Sequence, residues 1–396
     1  MTSRSYDIVT VGGGIAGAAL AKAMAARGAN VLVLEREERF KDRVRGEMVL
    51  SWGAAEAREL GIHDVLKDSC AREVSLIEMG SGQRDLKTTT LQQLPALTFA
   101  HQEMQQSVLA AAEGAGVKVR RGVTVERIEP GARPAVIVSG PSHERIETRI
   151  VVAADGRGSA CRKWAGFAVR EQANDYYMAG VLLSEVHSSP DVCYYVFNPV
   201  LGTVVGLLNI GGDRFRAYFM YPKSASYRLQ GAQALNSFSS ESAKVFPQMS
   251  EIYEGAKCIG PLTSFDVSDA WVEHPYRQGV ALVGDAAATS DPTFGQGLSL
   301  ALRDARVLRD ELSRTCDWES AGNDYAEKHR KYFGVAHTVE GWFRTLFQDP
   351  SPQAVLLRAE AMPRIVEDPS RVPDHLFSGP DLPLNNDVRA RFFGEC

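Results

Sequence analysis

The chain has 396 residues, 44% of them hydrophobic and 23% charged, with a net charge of −5. This composition fits a globular enzyme with room for two domains or one large discontinuous one, and it excludes general disorder. The acidic balance excludes a nucleic-acid surface, which needs a basic face. The one basic cluster, Arg39 to Arg45, is broken by Phe40 and Asp42 and suits a local phosphate contact.

No apolar run reaches the roughly 18 residues of a membrane span. The apolar N-terminus is organised as strand, turn and helix rather than as a signal peptide, so a cytoplasmic protein is expected. Cysteines at 70, 161, 193, 258, 316 and 396 show no CxxC pair and no Cys/His ligand spacing, which reads as reduced thiols with no metal.

In chain order, the apolar run Tyr6 to Val11 reads as a strand, Gly12-Gly13-Gly14-Ile15-Ala16-Gly17 as a turn, and Ala18 to about Arg27 as a helix. This order suits a dinucleotide pyrophosphate. Gly12 permits the tight turn and Gly14 lets the backbone approach the phosphates. Gly17 lets the helix pack on the strand, and the helix start around Ala16 faces the negative charge. A second strand, Asn30 to Leu34, ends in Glu35, near the 20-residue offset at which a carboxylate meets ribose hydroxyls. Arg36 follows, a residue type that suits a 2′-phosphate, but Glu35 points to a free ribose and so to FAD or NAD.

A polar loop leads to Arg45-Gly46-Glu47, a helix at Ala54 to Leu60 and a strand at Val74 to Met79. Residues 80–97 read as a hairpin of a second sheet. His101 opens a helix carrying Met104, Val108, Leu109 and Ala112 at helical spacing, stopped by Gly114-Ala115-Gly116. Short strands follow at 117–119, 123–128, 135–138 and 146–153, the last running into Asp155-Gly156. From Tyr176 to Tyr221 the pattern predicts four antiparallel strands separated by Pro and Gly turns, a platform. Beyond it come a helix at 232–245, an extended stretch at 260–266, and a buried strand at 279–283 that delivers Gly284-Asp285. Helices at 300–312 and 325–347 precede a proline-rich, irregular tail at 349–396 with one short helix near 354–362.

Three motifs therefore lie in one order: Gly12 to Gly17 with Glu35, Ala154-Asp155-Gly156-Arg157-Gly158 continuing to Arg162, and Gly284-Asp285-Ala286-Ala287 continuing through Asp291-Pro292-Thr293-Phe294-Gly295-Gln296-Gly297. Together they resemble the class A flavoprotein monooxygenases, the para-hydroxybenzoate hydroxylase-like family. The resemblance implies an α/β fold in which an FAD-binding Rossmann-like domain of the glutathione reductase type carries an inserted antiparallel β-sheet substrate domain. The expected FAD-binding domain comprises residues 1–75, 98–175 and 266–335. The substrate domain comprises 76–97 and 176–265, and 336–396 forms a C-terminal helical and irregular segment.

The resemblance further implies that Asp285 receives the ribityl hydroxyls. Gly295, Gly297 and Leu298 bring the start of a helix to the flavin pyrimidine, and its positive end stabilises negative charge there. Pro292 lies near the reactive edge, Arg45 reaches the cofactor, Asp155 and Arg162 tie the FAD region to a strand end and help receive the nicotinamide donor, and Gly156 joins Asp155 among the cofactor-binding residues. Relatives often carry a histidine where this chain has Ala288, and an arginine where it has His101. The implied activity is hydroxylation or epoxidation of an aromatic or hydrophobic small molecule through a flavin C4a-hydroperoxide, using O2 and NADPH or NADH. Tyr177, Met178, Tyr195, Phe197, Leu207, Asn209, Tyr218 and Met220 are candidates for the cavity wall; His101, Tyr177 and Arg216 are candidates for a catalytic role beside Pro292. Two alternatives stay open: a flavin-dependent reductase of isoprenoid double bonds, and a two-component monooxygenase fed reduced FAD by a flavin reductase partner. A halogenase is disfavoured, because Trp164 and Trp271 are isolated rather than part of a GWxWxIP segment.

Overall fold

The computed structural model describes residues 6–44, 46–140 and 143–395. Its first sheet is built around the strand Tyr6–Val11, which pairs in parallel with Val31–Leu34 on one side and Glu144–Ala153 on the other. Lys118–Arg120 and Val280–Leu282 extend it in parallel on the two sides, and Tyr276–Arg277 adds an antiparallel edge beyond Val280–Leu282. Every residue of Val31–Leu34 is buried, as a parallel strand covered on both faces must be.

The two faces divide by alternation. Ile8, Val31, Val33, Ile150 and Val152 pack into the core that holds the helices Ile15–Ala25, His101–Gly114 and Gly297–Arg314. Val9, Leu32, Leu34, Val151 and Leu282 point the other way. There they meet the antiparallel strands Val125–Glu129 and Ala135–Val138, which hang from the lower half of Glu144–Ala153. The first glycine turn and the Asp155 and Gly284 turns thus fall at the same, C-terminal, edge of neighbouring strands.

The second sheet is mainly antiparallel. Its centre runs Tyr176–Ser184, Phe215–Pro222, Thr203–Asn209, Val192–Asn198, and Thr263–Asp266 pairs with Tyr176–Ser184. Leu76–Glu78 joins the edge at Val192–Asn198, in parallel, and forms a hairpin with Gln83–Asp85. The rest of 80–97 departs from the expected hairpin: Leu86–Thr89 is a helical turn capped by Asp85, and Ala96–Thr98 pairs with Met48–Val49 and Arg72–Val74 in a separate small sheet.

Two further differences concern the C-terminal part. The helix Trp318–Phe347 starts earlier than the expected 325–347 and runs unbroken through residue 336, as that expected helix does. The tail is mostly helical, with Pro352–Glu367 and Asn386–Phe393 as its main elements. Two of its prolines start helices rather than prevent them: Pro352 and Pro369 occupy first-turn positions, where the missing N–H costs nothing, while Pro363 lies inside the helix Pro352–Glu367. Phe392 and Phe393 are buried, Phe392 stacking on Phe343 at 5.2 Å and Phe393 lying edge-on to Trp342. That apolar contact supplies the stability the local sequence lacks.

Candidate active site

A cavity of about 600 Å³ runs from the glycine turns of the first sheet to the inner face of the second. At its first end lie Gly12, Gly14 and Ala16. Gly12 adopts φ +104°, and a Cβ there would come 2.7 Å from the carbonyl carbon of Ala154. Gly17 does not line the cavity; its missing side chain leaves room for Thr10 and Ala154, so it serves the packing of helix on strand. Glu35 is buried and already engaged, accepting the N–H of Gly13 at 2.6 Å and that of Glu37 at 2.7 Å. Arg36 lines the mouth with its side chain largely exposed. Arg45 lies outside the described residues.

Asp155 and Gly156 border the same space. Asp155 braces its own turn, accepting from the Ser159 hydroxyl at 2.6 Å and from the Cys161 N–H at 3.1 Å. At the opposite side, Gly284 and Asp285 follow the strand Val280–Leu282, and Pro292, Gly295, Gly297 and Leu298 complete the wall. Gly295 sits at φ +67°, where a left-handed turn favours glycine. Asp291 is fully buried; it caps the Pro292 turn by accepting the Thr293 N–H at 2.9 Å and the Asn174 amide at 2.7 Å.

Two helices, Ile15–Ala25 and Gly297–Arg314, aim their N-termini into this one cavity. Neither has a side-chain cap and neither has an acid in its first turn. A helix start leaves N–H donors that side chains usually satisfy; here both ends are left for an anionic or hydrogen-bond-accepting guest. A Cβ at Gly14 would meet only the Gln105 amide, at 3.6 Å, and one at Gly297 or Gly156 would meet nothing within 4 Å. The cradle is open where a dinucleotide would press on the backbone, and the donor set fits FAD.

The second sheet closes the cavity with alternate residues. Met178, Tyr218 and Met220 face inward, along with Val204, Gly206 and Leu208, and with Cys193 and Tyr195. The Tyr195 hydroxyl donates to the Thr293 carbonyl, tying this sheet to the Pro292 turn. Leu207 points into the other core and Asn209 folds back on its own turn. Phe197 packs behind Tyr195 and Phe294. Tyr177 requires a correction. One residue out of phase with Met178, it faces away from the cavity, its hydroxyl accepting from Arg228 at 2.6 Å under a guanidinium 3.6 Å from the ring centre. A strand's two-residue period makes that exclusion absolute.

His101 does border the cavity, its Nδ1 2.9 Å from the Gly46 carbonyl oxygen. Arg216 is buried on the cavity face of its strand, beyond Tyr218, and its guanidinium donates to both oxygens of Asp42 at 2.6 and 2.8 Å. Its Nε lies 3.1 Å from Glu47 Oε1, off the line of a hydrogen bond. Sequence reading missed Glu47, which lines the cavity, is 2% exposed, and accepts the Tyr218 hydroxyl. Burial, only partly offset by the Arg216 charge and the Tyr218 hydrogen bond, pushes its carboxyl up to about 7. The sole signal in the sequence was an acid beside the Arg45-Gly46 pair.

Residues 5–332 match the family described as FAD binding domain. Among curated relatives, the chain is 27% identical over 372 residues to rifampicin monooxygenase of Streptomyces venezuelae, covering 88% of this chain and 74% of that protein. It is 25% identical over 349 residues to 3-demethoxyubiquinol 3-hydroxylase of Escherichia coli, covering 82% and 84%. Its fold superposes on p-nitrophenol 4-monooxygenase of Pseudomonas putida with a TM-score of 0.77 at 18% identity, over 94% of this chain and 97% of that one.

Proposed function

For a chain that belongs to the FAD binding domain family, and is an FAD-dependent monooxygenase of the class A type, we propose the reaction in full. One oxygen atom of O2 enters an aromatic small molecule, the other leaves as water, and NADH or NADPH supplies the two electrons. The observation that carries this reading is the pair of uncapped helix N-termini facing one cavity whose far wall is apolar.

Bound FAD would supply the reductive activation of O2 that no side chain provides. The protein's part is binding and exclusion. Gly12, Gly14 and Ala16 would receive the pyrophosphate and Glu35 the adenosine ribose, exchanging one of its present backbone partners for a hydroxyl. Asp285 would accept from the ribityl chain, and Gly295, Gly297 and Leu298 would face the ring with N–H donors. Pro292, flanked by the buried Asp291, gives the reacting edge a rigid border without a donor of its own. Met178, Val204, Leu208, Met220 and Phe265 line the substrate end with apolar surface, which keeps water from the reacting centre.

The test is spectroscopic. Protein loaded with FAD and mixed with NADH or NADPH under air should bleach and recolour, with turnover stimulated by an aromatic substrate. Bleaching only after addition of a flavin reductase would assign the two-component form. A protein that stays colourless in excess FAD would refute the reading.

A further inference from the structure

Three side chains able to ligate a metal converge near the Pro292 turn, and none of them lines the cavity. Asp269 stands at the head of the short strand Asp269–Trp271, which pairs with Ala288–Thr289 just before that turn. His337 and Glu340 come from the helix Trp318–Phe347, three residues apart and therefore on one face. One atom from each, an imidazole nitrogen and two carboxylate oxygens, lies within 4.8 Å of the other two. Among the described residues no other three histidine, cysteine, aspartate or glutamate side chains come together in this way.

The cluster is short of hydrogen-bond partners. Glu340 is 0% exposed, and neither of its carboxylate oxygens has one. Asp269 Oδ1 and His337 Nδ1 are likewise buried and unpartnered. Ser290, itself 9% exposed, turns its hydroxyl toward Glu340 yet completes no hydrogen bond. Orphaned acceptors cost free energy in a dry interior, and a cation satisfies at once those that converge on one point. Charge points the same way. Asp269, Asp291 and Glu340 set three carboxylates against the one guanidinium of Arg344. Arg157 acts on Asp269 by charge alone, its guanidinium being held by the Asp266 and Ser268 carbonyls. With all three acids ionised, Arg344 leaves two negative charges, the amount one divalent cation cancels. A buried water would meet the lone pairs but not the charge.

The surroundings suit such an ion. Arg344 Nη2 holds Asp269 Oδ2 at 3.0 Å and leaves Oδ1 spare, the service an outer partner gives a metal-binding carboxylate. The His337 ring packs against Trp271 and Phe333, with centroid separations of 4.8 and 5.6 Å, which fixes its plane. Its side chain is 23% exposed, so an ion can enter from the surface. Bonds of about 2.0–2.2 Å to zinc put tetrahedral ligand atoms roughly 3.4 Å apart. The set therefore needs to draw in by little more than an ångström, a movement within reach of side-chain torsions.

We propose that Asp269, His337 and Glu340 bind one divalent transition-metal ion of the Zn2+ type, with the Ser290 hydroxyl or a water as fourth ligand. Imidazole beside carboxylates suits Zn2+ better than Ca2+ or Mg2+, which prefer oxygen ligands throughout. The ion ties the helix to the strand beside the Pro292 turn, so its part is structural. In the metal-free protein a proton on Glu340 meets part of the same charge.

The whole protein, stripped with a chelator, tests this by equilibrium dialysis against Zn2+ with elemental analysis, and with Co2+ as a coloured substitute. Wild type should hold one Zn2+ per chain. Its Co2+ form should absorb beyond the red edge of the flavin bands with the intensity of tetrahedral rather than aqueous cobalt. Glu340→Gln and His337→Gln should each weaken binding by more than the roughly 10–100-fold that loss of an outer partner costs. His337 is only half-buried, so its variant serves if Glu340→Gln fails to fold. Replacing the exposed thiols, Cys258→Ser with Cys316→Ser, should leave the count at one. No Zn2+ held by wild type, undiminished binding in the two glutamine variants, loss of the ion with the two thiols, or an aqueous-type cobalt spectrum would each overturn the site. No turnover enters these measurements, so failure of the monooxygenase reaction would leave the metal site standing.

Discussion

Gly14 and Gly17 lie three residues apart in one turn, yet their replacement by alanine should fail in opposite ways. At Gly17 a methyl group would run into the Gly12 carbonyl oxygen and lie 2.8 Å from Thr10 Cγ2 and 2.9 Å from Ala154 Cβ. These are backbone and short, stiff side chains, so the helix must move off the strand, an overpacking cost of roughly 1–3 kcal/mol. At Gly14 the backbone is extended, with φ −67° and ψ −179°, and the nearest atom is the Gln105 amide nitrogen at 3.6 Å. Alanine fits there: the stiffer unfolded chain gains about 0.4–1 kcal/mol, and the poorer helix cap returns a few tenths. Gly14→Ala should therefore leave the thermal midpoint of the FAD-free protein unchanged within a degree or so, while Gly17→Ala lowers it by a few degrees. On the proposed placement of FAD, the methyl group at Gly14 would instead occupy the place of the pyrophosphate. Loss of one charge-assisted N–H contact, about 1.5–3 kcal/mol, corresponds to roughly ten- to hundredfold weaker FAD binding. Thermal unfolding of the stripped protein and quenching of FAD fluorescence on titration measure the two effects. Equal destabilisation by both substitutions, or undiminished FAD affinity in Gly14→Ala, would refute the placement of the dinucleotide on this turn.

Three further outcomes follow from the buried charges and the strand phases. Glu340 is wholly buried, and burial together with the Asp269 and Asp291 charges raises its carboxyl well above the ordinary glutamate value. A raised acid stabilises the fold fully below its unfolded pKa and loses that contribution as pH rises toward the folded one. Glu340→Gln should thus flatten the fall in stability between pH 5 and 8, read by chemical denaturation at both, and a slope as steep as wild type would contradict it. Arg344 lies 3.0 Å from Asp269 and 3.3 Å from Asp291. Arg344→Met strands both and should cost about 3–5 kcal/mol, seen as a lower melting temperature, with no loss marking the pair as unimportant. Tyr177→Phe removes a hydroxyl from the face turned away from the cavity, so kcat/KM should stay within about twofold of wild type, and a large loss would reverse the strand phase assigned here.

What was legible in the sequence was local. The glycine turn, Glu35, the Asp155 turn and the Gly284-Asp285 turn each depend on residues within a few positions, so their geometry follows from order alone. The phase of the second sheet did not show, because Tyr176, Tyr177 and Met178 are all large and the sheet is covered on both sides. The cavity lies on one face, and Phe238, Met249 and Tyr253 lie on the other. Without polar alternation the sequence carries no mark of which face turns inward. Glu47 was hidden for a different reason: as a loop acid after a glycine it looks solvated, and its burial is made by Arg216 and Tyr218, some 170 positions away. The helical tail is hidden by its prolines, because Pro352 and Pro369 read as breakers from sequence and yet stand at helix starts.

The helix Trp318–Phe347 shows how residues away from the cavity can fix its geometry. Near its start, the Tyr325 hydroxyl donates to the Leu282 carbonyl at 2.6 Å, pinning the strand that ends in Gly284. One turn on, His329 and Tyr332 engage the buried Asp304, whose other oxygen accepts the Gly284 N–H at 2.7 Å. Further along, Arg344 and Glu340 meet Asp269 and Asp291, the residue that caps the Pro292 turn. In this cluster Arg344 brings one positive charge against three carboxyl groups, and burial penalises each of them when ionised. Holding Glu340 protonated is the arrangement that costs least. The two turns proposed to receive the flavin are thus held from behind by a single rigid rod. Asp291 and Arg344 lie between Glu340 and the Pro292 turn, so the rod braces that turn without any of its atoms needing to touch the cofactor.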